Sequence, residues 1–419
     1  MLWLGVCLSH FPPGVSPDEM SEGAALARLA GWAGRFTPIV SLVPPRELLL
    51  EVEGSLRLLG GADRLVELVE EGLKDLEYAF ATALAPTPLA ATLLARGRPG
   101  TRLTDRGRLE HELAHVPLGA LDLAPETSAA LRGIGAGTFG DCLKLPRAGL
   151  ARRVGSDLLR TLDRALGRVP DPREPFVPPP RYAGALALPA AVTFVEPLLF
   201  VARRLLLEME GYLEARGAGA AALRWTLCHH GGRSTRIDVG LASPARDPGR
   251  LLKLLQERLE RTRLAEPVEG VELAVEEILP LVPANLDLWR ARAAASGHAW
   301  PELLDRLRAR LGAGAVQGLR LASDHRPERA FVRTDPTRDD HPDQPLQLGP
   351  RPLWLLAAPA PLEPNVTLVS GPERIETGWW DGGDVQRDYF VAEDRAGLRL
   401  WVYRERGDGR RWFLHGIFG

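Results

Sequence analysis

The stretch between Tyr182 and Pro280 constrains the fold most tightly, because its hydrophobic period changes in a fixed order. A strand-like run over 183–188 precedes a long helical pattern over 197–216. Two further strand-like runs, 223–229 and 235–241, are joined by a Gly231-Gly232 hairpin. Helical spacing returns over 247–261, and 271–278 reads as a closing strand. The order β-α-β-β-α-β is the split βαβ, or ferredoxin-like, arrangement.

The rest of the chain is organised around that module. Strands over 2–9, 48–52 and 79–84 alternate with helices over 22–32, 62–76 and 88–96, the last opened by Pro88, which suits a first turn. This predicts an α+β sheet layer. Short helices with small turns occupy 108–168. A helix over 125–132 stops at Gly133-Ile134-Gly135, and Thr138 can cap a second helix through Cys142. Prolines crowd 170–180, marking a linker. A short helix is expected over 301–311 and a polar, proline-punctuated loop over 333–350. Beyond it, Trp354, Trp379, Trp380, Tyr389, Phe390, Trp401, Tyr403, Trp412 and Phe413 predict a small β-rich module.

A chain of 419 residues can hold two to four domains. Its hydrophobic (45%) and charged (25%) fractions are those of a soluble globular protein. No apolar run approaches the roughly 20 residues of a membrane span, and the apolar start reads as a buried strand rather than a signal peptide. Cys7, Cys142 and Cys228 lie far apart and read as buried thiols of a reducing cytoplasm. The formal charge is −2, yet residues 131–265 carry 22 Lys and Arg against 13 Asp and Glu, an excess of 22 − 13 = 9. Such an excess supplies either phosphate contacts or a solvated mixed-charge surface. Lys74, Lys144 and Lys253 are the only lysines, which leaves few candidates for lysine catalysis.

Three local patterns suggest chemistry. His111-Glu-Leu-Ala-His115 matches a zinc-helix motif, but Pro117 would stop the helix and no third ligand follows. Gly135-Ala-Gly-Thr-Phe-Gly140 has dinucleotide-loop spacing, but a helix rather than a strand precedes it. It reads better as a helix-hairpin-helix. The turn, with Gly133 and Gly135, either offers N–H groups to a phosphate or is merely structural. Arg132, Lys144, Arg147, Arg152 and Arg153 flank it, and Arg233 and Arg236 stand at the later hairpin; all are candidate DNA contacts. His229-His230 sits in an exposed turn with no partner carboxylate and makes a poor ligand pair.

Trp32-Ala-Gly-Arg-Phe-Thr-Pro38, Leu48-Leu-Leu-Glu-Val-Glu-Gly54, Leu58-Leu-Gly-Gly61 and Ala85-Pro-Thr-Pro-Leu-Ala-Ala91 resemble the palm of Y-family DNA polymerases. The hairpin with Leu145-Pro146 resembles their thumb, and 182–280 their little finger. The ending is more specific. Arg351-Pro-Leu-Trp-Leu355, Gly371-Pro-Glu-Arg-Ile-Glu376, Gly378-Trp-Trp-Asp-Gly382, Arg387-Asp-Tyr389 and Trp412-Phe-Leu-His-Gly416 resemble the tail of ImuB proteins. Those are DinB/UmuC-related, polymerase-like subunits of an inducible bacterial mutagenesis complex.

The resemblance implies a reduced palm over 1–106 with the fingers largely absent, a thumb over 107–170, and a linker over 171–181. A little finger over 182–282, a clamp peptide and linker over 283–350, and an interaction module over 351–419 would follow. Nucleotidyl transfer needs two metal ions roughly 3.5–4 Å apart on several carboxylates. The first strand has no Asp or Glu, and Arg46 and Glu47 stand where the family has an Asp-Glu pair. The chain therefore reads as non-catalytic, with no metal and no cofactor. Asn285-Leu286-Asp287-Leu288-Trp289 resembles the peptide by which such proteins engage the sliding clamp; its plain alternative is a strand-to-helix connector. Trp379, Trp380, Asp381, Arg387, Tyr389 and Trp412 are candidate partner contacts. The implied partners are primer-template DNA bound without sequence preference, the sliding clamp, an error-prone polymerase of the replicative type and a RecA-like accessory protein. Two rivals remain: an active translesion polymerase using Glu47, Glu51 and Glu53, and a protein scaffold with no DNA affinity.

Overall fold

Trp3–His10 (β1) alternates its side chains between two buried layers, which is why the run is apolar throughout. Leu2, Leu4, Val6 and Leu8 face one layer and Trp3 the other. The computed structural model describes residues 1–419 except 17, 265, 282–290, 338–349, 364, 408–410 and 419. Two compact units emerge, Met1–Arg310 and Leu311–Gly419.

In the first unit, Val40–Val43 (β2), Glu47–Glu51 (β3) and Ala79–Ala85 (β4) join β1 in an antiparallel sheet of order β2-β3-β1-β4. The helices Glu19–Ala33 (α1) and Ala62–Asp75 (α2) cover one face, burying Leu26, Leu29, Leu65, Val69 and Leu73. Pro88–Gly97 (α3) covers the other. It lies so close that a Cβ at Gly5 would sit 2.6 Å from the Ala91 carbonyl oxygen. Thr87 caps α3 through the Ala90 N–H and donates its hydroxyl to the Ala165 carbonyl.

That second bond ties the sheet to a helical segment: Leu109–Ala114 (α4), Pro125–Gly133 (α5), Phe139–Lys144 (α6), Arg147–Val154 (α7) and Ser156–Ala165 (α8). Thr138 and Asp141 form a capping box on α6, the cap expected from the sequence.

Ala183–Val192 (β5), Val195–Glu214 (α9), Ala218–His229 (β6), Ser234–Ala245 (β7), Pro248–Leu259 (α10) and Val268–Pro280 (β8) follow in the expected element order. The sheet order is β5-β8-β6-β7 and every pairing is antiparallel, so β5 and β7 are its edges. Ala291–Leu311 (α11) begins ten residues earlier than the helix expected at 301, with Pro301 inside it. Buried Asp305 fastens it, accepting the Ala242 N–H at 2.6 Å and Arg250 Nη2 at 2.5 Å.

Trp32 locks this module to the first sheet. Its indole fills a slot between α2 and α9, where a Cβ at Gly72 would meet Trp32 Cζ2, and one at Gly211 would meet Cδ1, each at 2.3 Å. The Arg28–Glu208 bond (2.9 Å) and the Arg35–Glu214 bond (2.5 Å) cross the same seam. The proline-rich stretch is held down as well: Phe176 N–H bonds to Val40 O, and Tyr212 Oη donates to Pro179 O.

In the second unit, Gly318–Leu321 (β9) and Phe331–Thr334 (β10) form a hairpin that overlaps the start of the expected loop over 333–350. Trp354–Pro361 (β11), Thr367–Thr377 (β12), Val385–Glu393 (β13), Arg399–Glu405 (β14) and Trp412–Ile417 (β15) form the β-rich module, an antiparallel sheet of order β11-β15-β14-β13-β12. No helix among the described residues is long and apolar enough to cross a membrane. All three cysteines are free, but only Cys142 is buried; Cys7 and Cys228 are half-exposed, because each lies on a strand face that is only partly covered.

Candidate active site and nucleic-acid interface

Register on the first sheet brings Cys7 opposite Glu47. Both lie on the face covered by α3, whose single charged residue, Arg96, reaches down to them. Its Nε and Nη2 bond the two Glu47 oxygens at 2.5 and 2.7 Å, and Nη1 bonds the Ala120 carbonyl at 3.0 Å. This fork-to-fork geometry is the strongest form of the ion pair. Glu47 is only 7% exposed, so the carboxylate is almost wholly occupied by the guanidinium. Burial, the Glu47 charge and a hydrogen bond to Glu47 together push the Cys7 thiol up to about 11, so it stays a neutral S–H. Arg46 turns to Glu22, bonding both carboxylate oxygens at 3.1 and 2.7 Å. The pairs line an open cleft of about 510 Å³ with Leu8, Pro45, Pro117 and Asp122.

The other carboxylates considered for metal binding lie elsewhere. Glu51 is four residues along β3, opposite Trp3, roughly 13 Å away at strand spacing. Glu53 has left the strand for a 3₁₀ turn and pairs with the N-terminal amine at 2.5 Å. Among the described residues no three His, Cys, Asp or Glu side chains gather as a metal set.

Cys7, Glu22 and Arg96 were not anticipated as parts of this cleft. Arg96 carried a signal, being a lone charge late in an apolar helix.

The hairpin residues divide by partner. Gly135 has φ +81°, which suits glycine, and lies open to solvent; Gly133 is exposed at the end of α5. Gly140 serves packing, since a Cβ there would sit 2.8 Å from the Ala114 oxygen. The Gly137 and Thr138 N–H groups both go to Asp141, whose carboxyl is held down at about 2, chiefly by these bonds. Arg147 is gripped by Asp163 at 3.0 and 2.5 Å, Lys144 is 3.3 Å from Asp141, and Arg132 bonds the Ser128 carbonyl. Arg152 and Arg153 are exposed at the end of α7 and have no partner among the described residues. In the second module, Arg233 pairs with Glu266 and Arg236 with Asp238.

The histidine readings need correction. His229 is buried rather than exposed, because its Nδ1 and Nε2 are hydrogen-bonded to Pro267 O and Thr235 Oγ1; His230 does have a carboxylate partner, Glu269, at 3.1 Å. His111 and His115 stack edge to face at 5.3 Å, while Glu112 is taken by Arg98 and Arg108. That is a structural helix end.

The tail candidates also divide. Tyr389 is core, stacked on Trp401 at 4.3 Å, and its hydroxyl joins Arg387 to buried His415. Trp412 packs half-buried on Phe390. Arg387 bonds Glu328, and Asp381 is clamped by Arg326 and Arg329. Trp379 (78% exposed) and Trp380 (56%) project from that clamped loop. Asn285, Leu286, Asp287, Leu288 and Trp289 lie outside the described residues.

Comparison with known proteins adds a whole-chain match. The sequence is 31% identical over 435 aligned positions to Protein ImuB of Caulobacter vibrioides, strains NA1000 / CB15N and ATCC 19089 / CIP 103742 / CB 15, covering 96% of this chain and 95% of each relative. Similar solved structures include DinB from Sulfolobus solfataricus (13% identity, TM-score 0.35) and a Y-family DNA polymerase chimera (14%, 0.34). Each covers 67% of this chain and 100% of the other. No protein-family model matches the sequence.

Proposed function

The chain belongs to the ImuB family, and from that premise we propose that it is a non-catalytic, Y-family-polymerase-like adaptor in damage-induced translesion synthesis and mutagenesis. It works in the cytoplasm as part of the SOS response, holds primer-template DNA without sequence preference, tethers itself to the sliding clamp, and recruits an error-prone polymerase and a RecA-like protein. In this reading residues 1–106 are a palm without fingers, 107–170 the thumb and 182–282 the little finger. The clamp peptide lies within 283–350, and 351–419 is the partner module.

One observation carries the non-catalytic part: the Arg96 guanidinium sits on Glu47 where a divalent cation would have to sit. A fixed positive charge there excludes a second one by repulsion and offers no open ligand position. The excess of cations over 131–265 supports the DNA grip, and Arg152 and Arg153, being unpaired, are its best phosphate contacts. The exposed Trp379 and Trp380 supply the aromatic anchors that interfaces favour.

The DNA part is tested by titrating primer-template at several salt concentrations. Arg152→Ala with Arg153→Ala should weaken binding equally for all sequences and flatten the salt slope by about 2, since each arginine on a phosphate accounts for about one unit. Lys144→Ala with Arg147→Ala should do less, since Arg147 already serves Asp163. An unchanged slope in the Arg152/Arg153 variant removes the helical hairpin from the DNA surface. Clamp tethering is tested by pull-down: Leu288→Ala with Trp289→Ala should abolish capture without moving the thermal transition, and undiminished capture rules the peptide out.

A further inference from the structure

We propose that an apolar pocket between β5, the start of α9 and the segment after β1 receives the C-terminal residue of a partner chain, with its side chain among the apolar walls and its free carboxylate on Arg204. The pocket, about 280 Å³, is walled by Leu186, Leu188, Pro189, Pro197, Phe200 and Val201, with Arg204 and Pro13 also lining it and exposed Glu77 at its edge. That space suits one or two side chains and is too small for a helix.

Charge selects the occupant. Arg204 is 5% exposed, and only its Nη1 has an acceptor, the Pro13 carbonyl at 2.9 Å. Nε and Nη2 have none. The nearest buried carboxylate, Glu208, approaches Nη2 only to 3.9 Å and is already bonded to Arg28 at 2.9 Å. Burial holds the neighbouring phenols of Tyr78 and Tyr182 neutral, so they add no negative charge. Two buried guanidiniums therefore share one carboxylate. An unmatched buried cation costs several kcal/mol, and a guanidinium fork is best matched by a carboxylate.

Strand geometry selects the form. β5 is a sheet edge whose outer side is met by a single bond, Ala187 N–H to Gly14 O, so an extended peptide can pair alongside it. A chain terminus carries its carboxylate on the same carbon as its side chain. One residue thus fills the pocket and meets Arg204, which a mid-chain Asp or Glu cannot do.

Fluorescence anisotropy tests this with labelled Gly-Ser-Gly-Ser-Leu-Phe as the free acid and as the C-terminal amide, using the full chain. The acid should bind saturably and the amide at least 10-fold more weakly. Val201→Trp, which fills the pocket, and Phe200→Ala, which removes an exposed wall, should each abolish acid binding while DNA binding stays unchanged. Equal binding of acid and amide, no saturable binding of the acid, or undiminished binding to both variants overturns the proposal.

Discussion

Arg96→Met is expected to lower stability by about 3 kcal/mol, the lower end of the cost of stripping one partner from a buried ion pair. The low end applies because the Arg96 side chain is one-quarter exposed, so solvent already screens part of the pair. What remains is a Glu47 carboxylate beside a protonated Cys7 and the closed sheet, with no cation to face it. The loss should reverse when the orphaned charge is removed as well. Arg96→Met combined with Glu47→Leu should be more stable than Arg96→Met alone, a coupling that a double-mutant cycle reads directly. Urea midpoints at constant m-value are the measurement. A single-variant loss below about 1 kcal/mol would mean that the pair is not what closes the cleft.

Trp32→Ala should cost about 3–5 kcal/mol, the range for emptying a large aromatic site in a core. The ring cannot be replaced by collapse of its neighbours, because both walls of its slot are glycine backbone, Gly72 on α2 and Gly211 on α9. Gly211→Val attacks the same seam from the other side, since its first side-chain carbon would lie 2.3 Å from the indole. Both variants should unfold at lower temperature and be cleaved faster between the first sheet and α9 in limited proteolysis. A Trp32→Ala protein with a wild-type transition would show that the slot is not what joins the two layers.

Period and punctuation made most elements readable. β1, α2, α3 and the six elements from β5 to β8 fall close to where hydrophobic spacing puts them, because each is long enough to show its period. Short elements escaped: β2 has four residues just past Pro38, and the β9–β10 hairpin has four in each strand. The pairing order β5-β8-β6-β7 also escaped, because spacing fixes which face is buried and not which neighbour a strand takes.

The site was half readable. The lack of Asp and Glu in β1 is plain in the residues themselves. The Arg96–Glu47 pair is not, since its members are 49 residues apart and meet only because α3 crosses the face that carries β1 and β3. The tail shows a different limit. Its aromatics look alike in sequence, yet Tyr389 became core while Trp379 and Trp380 stayed outside. What separates them is a buried arginine, Arg326, that clamps Asp381 and holds the tryptophan loop off the sheet.

The central claim, that a guanidinium has taken the place of the metal ions, is tested most directly by magnesium-dependent primer extension with the purified full chain, primer-template DNA and all four deoxynucleoside triphosphates. The account predicts DNA binding without nucleotide incorporation, and the same result for Glu47→Ala. Robust incorporation by the wild-type chain that disappears in Glu47→Ala would contradict it.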